Sequence, residues 1–247
     1  MKGRWIPISP PRRLITDFSY LAQGSPRGTV HGRIDVAAVA AARAAAAPRP
    51  SWPALFAKAH ALAARELPAL RRVYVKLPWP HFHQMPTSVA CIIVERDWRG
   101  EAALFFGRIK DPASIPLPVL QARIAEAKTA PIESVKDYRL ALRLARLPWP
   151  LRRAVLWLGL NLGRQVPNHF GSFGLSVLGS QRVAITSVVA PWTSFLNYGP
   201  IGADGMVDIH LGFDHRVLDG ALAAQAVQAL ERMLQGPVLE ELRGLAE

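Results

Sequence analysis

Cysteine is almost missing from this 247-residue chain: the one thiol, Cys91, lies in the apolar run Val89-Ala90-Cys91-Ile92-Ile93-Val94. That excludes an internal disulfide framework and a cysteine-based metal site, and it suits a reducing compartment, the cytosol being the simplest. Long apolar runs are missing too. The longest, Ala154 to Leu162, is broken by Gly159 and Asn161 and falls short of the roughly 18 to 20 residues that span a bilayer. No apolar stretch follows the charged start Met1-Lys2-Gly3-Arg4, so the expectation is a protein that is not secreted. Acidic residues are sparse in the first two thirds. Residues 1–166 hold 26 of the 30 Lys/Arg but only 10 of the 18 Asp/Glu, so the net charge of +12 arises there. Such a bias suits a phosphate-bearing cofactor, an acidic carrier protein, anionic lipid headgroups or nucleic acid, and charge alone does not choose among them.

What is present is enough apolar sequence, 50% of residues, for one core and one domain over 1–247. Leu14 to Leu21 and Thr29 to Val36 carry strand-like spacing and are expected to pair early in a sheet. The alanine-rich segment 37–47 predicts a helix stopped by Pro48 and Pro50. A second helix fits Pro53 to Glu66, with Leu55, Ala59, Leu62 and Ala63 on one face. Strands are expected over Ser88 to Val94, Ala102 to Phe106, Phe173 to Leu178, Phe195 to Tyr198 and Met206 to Phe213, and helices over Pro118 to Lys128 and Ala221 to Leu234. Strands and helices without strict alternation point to an α+β sandwich.

Residues 135–166 differ from their surroundings. Arg139, Arg143 and Arg146 recur at helical spacing beside Leu140, Leu144 and Leu147; Pro148-Trp149-Pro150 breaks the chain; Arg152, Arg153 and an apolar segment follow. Two readings stand side by side: a helical hairpin lying on an anionic membrane surface, and a core-packing hairpin with a solvated basic face. The tetrapeptide Leu-Pro-Trp-Pro occurs at Leu77 to Pro80 and again at Leu147 to Pro150, coincidence being the default reading. His81 and His83 lack a third ligand, which favours a surface loop over a metal site.

The clearest chemistry lies near the end. An alternating strand ending at Phe213 runs into Asp214-His215-Arg216-Val217-Leu218-Asp219-Gly220, with a helix starting at Ala221. A histidine at a strand-to-helix turn has its tautomer fixed by neighbouring groups, and Asp219 sits at an N-cap. From the residues alone this is either a positioned base or a hydrogen-bonded turn histidine beside a capping aspartate.

The signature His215-x-x-x-Asp219-Gly220, with Phe213-Asp214 before it and Arg216 within it, resembles that of the catalytic domain of dihydrolipoamide acyltransferases, in the chloramphenicol acetyltransferase-like superfamily. Gly171 to Gly179 is similar to that family's strand ending in a Ser-x-x-Gly turn. The resemblance covers most of residues 170–240 and is weaker, though in order, upstream. It implies a two-layer sandwich with a mixed sheet, carrying 135–166 as an inserted helical hairpin. It also implies that His215 takes the proton of an acceptor thiol or hydroxyl, that Ser176 donates to the oxyanion, and that Asp219 holds the turn, pairing with an early arginine such as Arg12 or Arg13. A homotrimer with sites between subunits follows from the same resemblance. No Gly-x-Ser-x-Gly elbow occurs, so a covalent serine intermediate is not supported. Lipoyl domain, partner-binding segment and Ala/Pro linker are all missing ahead of the region, which predicts a standalone enzyme without a covalent lipoyl group or a metal. The expected donor is acyl-CoA or acyl carrier protein, and the expected acceptor is apolar, a lipid included. The expected place is the cytoplasm, with the inner membrane surface as a further option. A catalytically silent scaffold is the alternative, and nucleic-acid binding ranks last because no reading motif or stacking platform accompanies the basic residues.

Overall fold

The computed structural model describes residues 3–176, 188 and 190–245. Helix α1 (Pro10–Ala22) leads into β1 (Arg27–Asp35), then α2 (Ala37–Ala45) and α3 (Trp52–Glu66). A small antiparallel hairpin, β2 (Arg72–Val75) and β3 (His81–Gln84), precedes the long pair β4 (Val89–Trp98) and β5 (Glu101–Lys110). Helices α4 (Leu117–Thr129), α5 (Lys136–Ala145), α6 (Trp149–Asn161) and α7 (Val166–His169) follow, then β6 (Phe173–Ser176), β7 (Ser194–Tyr198), β8 (Met206–Asp214), α8 (Gly220–Met233) and α9 (Leu239–Arg243).

The described strands form a mixed six-stranded sheet in the order β1-β8-β7-β6-β4-β5. β6 runs parallel to both of its neighbours and the other pairings are antiparallel. Period-2 alternation sorts its two faces. Ala90, Ile92, Leu175, Leu196, Ile209 and Leu211 join the main core beneath α3 and α8, whereas Cys91 packs on the other face with Trp192 and Phe195. α3 is the central pillar. Its alanines bring the backbone close to the sheet, and its one buried cation, Lys58, is held by Glu241 at 2.5 Å and by the Ile115 carbonyl at 2.8 Å.

Residues 135–166 carry the two helices α5 and α6, each packed on α1, and the sandwich and the mixed sheet agree with expectation. Leu14 to Leu21 does not: it lies in α1, because Leu14, Asp17, Phe18 and Leu21 fall at the i, i+3, i+4, i+7 spacing of one helical face and Pro10 and Pro11 occupy the first turn, where proline is tolerated. The early pairing fails with it. β1 pairs instead with β8, Arg27 opposite Asp214 and Asp35 opposite Met206. His81 and His83 lie on a short strand rather than in a loop, and no group of three metal-ligating side chains occurs among the described residues. Part of the Ser-x-x-Gly turn, residues 177–179, lies outside the described residues.

The hairpin is docked through charge as well as packing. Asp17 of α1, almost fully buried, accepts from both Arg152 and Arg153 of α6, and Arg152 is itself buried. Arg153 also lies over the rings of Tyr20 and Trp149. Tyr138, Leu142 and Ala145 are the inward residues of α5, while Arg139, Arg143 and Arg146 are exposed. Outward on α6 stand Trp149, Leu151 and Trp157, whereas Val155 and Leu158 face a groove against α1 and α5. No helix among the described residues is long and apolar enough to cross a membrane.

Candidate active site

β8 delivers Asp214 to a turn that is tied down at every residue. The Asp214 carbonyl accepts from the amides of Val217 and Leu218 at 2.9 and 3.0 Å, and the His215 amide donates to the Pro26 carbonyl at 2.9 Å. The Asp214 carboxylate takes the Arg216 amide and both ends of its guanidinium, at 3.0, 2.9 and 2.6 Å. Burial pushes that carboxyl up, but the hydrogen bonds and charge of Arg216 outweigh it and hold the group below the usual carboxylate range. Arg216 reaches on to Ser25 Oγ at 3.0 Å and lies over the Tyr74 ring. Arg27, opposite Asp214 in the register, donates to the Trp192 carbonyl at 2.6 Å; burial drives its pKa down to about 10 although Asp214 pulls it up.

Within this frame the His215 ring is exposed, resting on Phe213 at a centroid distance of 5.4 Å. Asp219 caps α8, its Oδ1 accepting from the Leu222 amide at 2.8 Å. The expected arginine partner is not there: Arg12 faces Glu101 and Arg13 donates to the Ile8 carbonyl. A residue serving as N-cap points its carboxylate at its own helix, and the turn's ion pair belongs to Asp214 and Arg216. Sequence reading missed that pair, although the spacing Asp-x-Arg beside the histidine was its signal.

Ser176 closes β6 and is nearly buried. The registers align it with Ile93 on one side and Asn197 on the other, and Asn197 with His210 and His31 beyond. The two histidines stack at 4.7 Å, and His31 faces Asp208 at 3.5 Å. Gly174, two residues earlier on the same face, leaves room for the Trp192 ring, which lies 2.7 Å from where a Cβ would stand.

One chain does not bring Ser176 and His215 together. Ser176 is level with His210, whereas His215 lies beyond Phe213, which is level with Ser194 and Phe173. Five residues at about 3.4 Å each separate them by roughly 17 Å along the strand direction. Ser176 therefore lies midway along the sheet, level with His31 and His210, and His215 lies past one end of it.

Burial silences two other reactive groups. Ser194 Oγ lies 3.1 Å from His60 Nε2, but His60 is buried against Phe173 and its pKa is pushed down to about 3 by burial, so the imidazole stays neutral at neutral pH. Burial pushes the Cys91 thiol up, removing the thiolate that nucleophilic chemistry needs.

Residues 168–241 match the family described as 2-oxoacid dehydrogenases acyltransferase (catalytic domain). No curated protein matches the chain. Among solved structures it is similar to a dihydrolipoamide acetyltransferase of Azotobacter vinelandii, solved in work on the role of a serine, a histidine and an asparagine in its catalytic mechanism; the TM-score is 0.69 at 19% identity, covering 96% of this chain and 93% of that one. The cubic core of the pyruvate dehydrogenase multienzyme complex gives 0.64 at 20% identity over 96% and 93%. A chloramphenicol acetyltransferase gives 0.53 at 14% identity over 89% and 94%. The fold is thus the one shared by these acyltransferase catalytic domains, and the matched segment runs from α7 to α9, through both Ser176 and His215.

Proposed function

We propose that this chain is a standalone acyltransferase, moving an acyl group from a thioester of coenzyme A or of an acyl carrier protein to a hydroxyl or thiol of an apolar acceptor, lipids included. The observation that carries the reading is the His215 turn: an exposed imidazole on a backbone fixed by Pro26, Asp214 and Arg216, inside the segment that matches an acyltransferase catalytic domain. His215 removes the acceptor proton while the acceptor oxygen or sulfur attacks the thioester carbonyl carbon. Ser176 donates its O–H to the resulting oxyanion, and collapse expels the donor thiolate, which takes the proton from His215. In the Azotobacter enzyme the asparagine follows the histidine by four positions, as Asp219 follows His215 here. Here the side chain at that position is the cap that holds the turn.

The separation of Ser176 and His215 within one chain supports a homotrimer in which the serine of one copy faces the histidine of the next. Membrane attachment, in this reading, rests on Arg139, Arg143 and Arg146 together with the outward Trp149, Leu151 and Trp157, and keeps the protein on the cytoplasmic face. Arg152 is withdrawn from that surface by burial against Asp17, and Arg153 is drawn to the same carboxylate.

The test is thioester cleavage followed by free-thiol release from a panel of acyl-CoA donors with alkanol acceptors. His215→Ala should lower the rate by at least about 10²-fold, the lower bound for a general base, with an unchanged circular-dichroism spectrum. Rates near wild type in that variant would reject the assignment. Absence of transfer in the wild type with coenzyme A and carrier-protein donors alike would favour the silent scaffold.

A further inference from the structure

On the same sheet face as Ser176, the inserted hairpin and α1 roof over β4 and β5 and leave a cavity of about 490 Å³. That lies within the range of about 300 to 1,000 Å³ occupied by small-molecule sites. Its floor includes Ile93 and Phe106, its walls Phe18, Leu144 and Leu158, and its far end Trp192. The charged pair at its edge, Arg108 and Asp137, is joined to itself by two side-chain hydrogen bonds and leaves no net charge for a ligand. An uncharged, apolar occupant is what such a lining accepts.

We propose that this cavity holds the aliphatic acyl chain of the donor thioester, and that its depth sets the chain length the protein prefers. The inference rests on the role given to Ser176 above. Ile93 is the registered neighbour of Ser176, so the two side chains share a face about 4.8 Å apart, and Phe106 is next in the row. A carbonyl oxygen held by Ser176 Oγ places the carbon chain attached to that carbonyl over Ile93 and into the cavity. The acceptor enters from the other direction, with the His215 of a neighbouring copy. The thiol portion of the donor leaves along the remaining side.

Binding of neutral S-alkyl-N-acetylcysteamine thioethers, ethyl to dodecyl, to the full chain tests this by calorimetry. These compounds mimic the donor, do not react, and keep only the amide-cysteamine end that coenzyme A and carrier-protein thioesters share. Affinity should rise about fourfold per methylene, the ratio expected for each buried CH₂, and then level off once the cavity is filled. Ala141 also lines the cavity: Ala141→Trp should bring the plateau to shorter chains, and Leu144→Ala should move it to longer ones. A series with no length dependence overturns the proposal, as does a rising series that neither variant shifts. Alkanols that show the dependence while the thioethers do not would assign the cavity to the acceptor and likewise overturn it. His215→Ala should keep the thioether series intact while losing turnover. An active His215→Ala variant would remove the catalytic reading, and the thioether series would still decide the cavity.

Discussion

His60 and His215 carry the same imidazole into opposite conditions. His60 is enclosed by Phe173 and Ser194, and burial alone holds its pKa near 3. In the unfolded chain an imidazole titrates near 6.5. Between about pH 6.5 and 3, therefore, the unfolded state takes up a proton that the folded state excludes, and stability falls as pH drops through that window. Replacing His60 by Gln should flatten the stability curve above about pH 4 in denaturant titrations, and leave the acid loss due to carboxylates such as Asp214 in place. An unchanged pH dependence would show that His60 titrates normally. Ser176 calls for a different measurement. A hydroxyl that meets the oxyanion acts in the transition state, so Ser176→Ala should lower kcat by about 10²-fold with donor affinity little changed; an effect confined to affinity would remove it from that role. His215 and Asp219 were legible in the sequence because a strand-to-helix turn is written in neighbouring residues. The His60–Ser194 pair was not, because the two groups are 134 residues apart and only the packing of α3 on the sheet joins them.

Helices α5 and α6 were legible as elements, since the prolines at Pro148 and Pro150 mark their junction and the Arg/Leu spacing marks the face of α5. Their environment was not. α1 was read as a strand, so nothing in the sequence pointed to Asp17 as the buried anion beneath Arg152 and Arg153. An aspartate with one exposed arginine contributes little, but one buried with two arginines leaves their charges uncompensated when it is removed. Asp17→Ala should cost about 3 to 5 kcal/mol of unfolding free energy, the range for breaking a buried pair, and loosen α6 from α1. A loss below about 1 kcal/mol in urea unfolding would show the pair to behave as a surface one. Arg139, Arg143 and Arg146, exposed on α5, should by contrast tolerate Gln with no change in stability. If the hairpin meets an anionic surface, each contributes about 1 kcal/mol there, and the triple variant should lose vesicle co-sedimentation at low salt. Equal co-sedimentation of variant and wild type would leave α5 with a merely solvated face.

At the scale of the whole molecule, one edge of the sheet is made by β1 lying against β8, a pairing of segments about three quarters of the chain apart. Alternation in the sequence gave both strands but not their partnership, since period-2 patterning specifies a face and not a neighbour. The same topology sets where the two proposed catalytic groups lie. β6 and β8 run antiparallel in one sheet, with Ser176 midway along it and His215 past one end, so the two residues of the same copy lie roughly 17 Å apart along the strands. No side-chain rotation spans that distance, and moving either strand would break the core packed beneath it. In the proposed reaction, a carbonyl that touches both groups takes them from two copies. Mixing two inactive variants separates this arrangement from a site within one chain. His215→Ala supplies an intact serine, and Ser176→Ala supplies an intact histidine. When equal amounts are dissociated together and reassembled in a ring of like interfaces, about a quarter of the interfaces pair an intact serine with an intact histidine. The mixture should then recover about a quarter of wild-type turnover, while each variant reassembled alone stays at its own residual rate. Sedimentation of the reassembled mixture checks that the oligomer has re-formed. Turnover no higher than the average of the two parents, in a mixture of wild-type size, would mean that each chain completes its own site and that the separation seen between Ser176 and His215 closes within one copy.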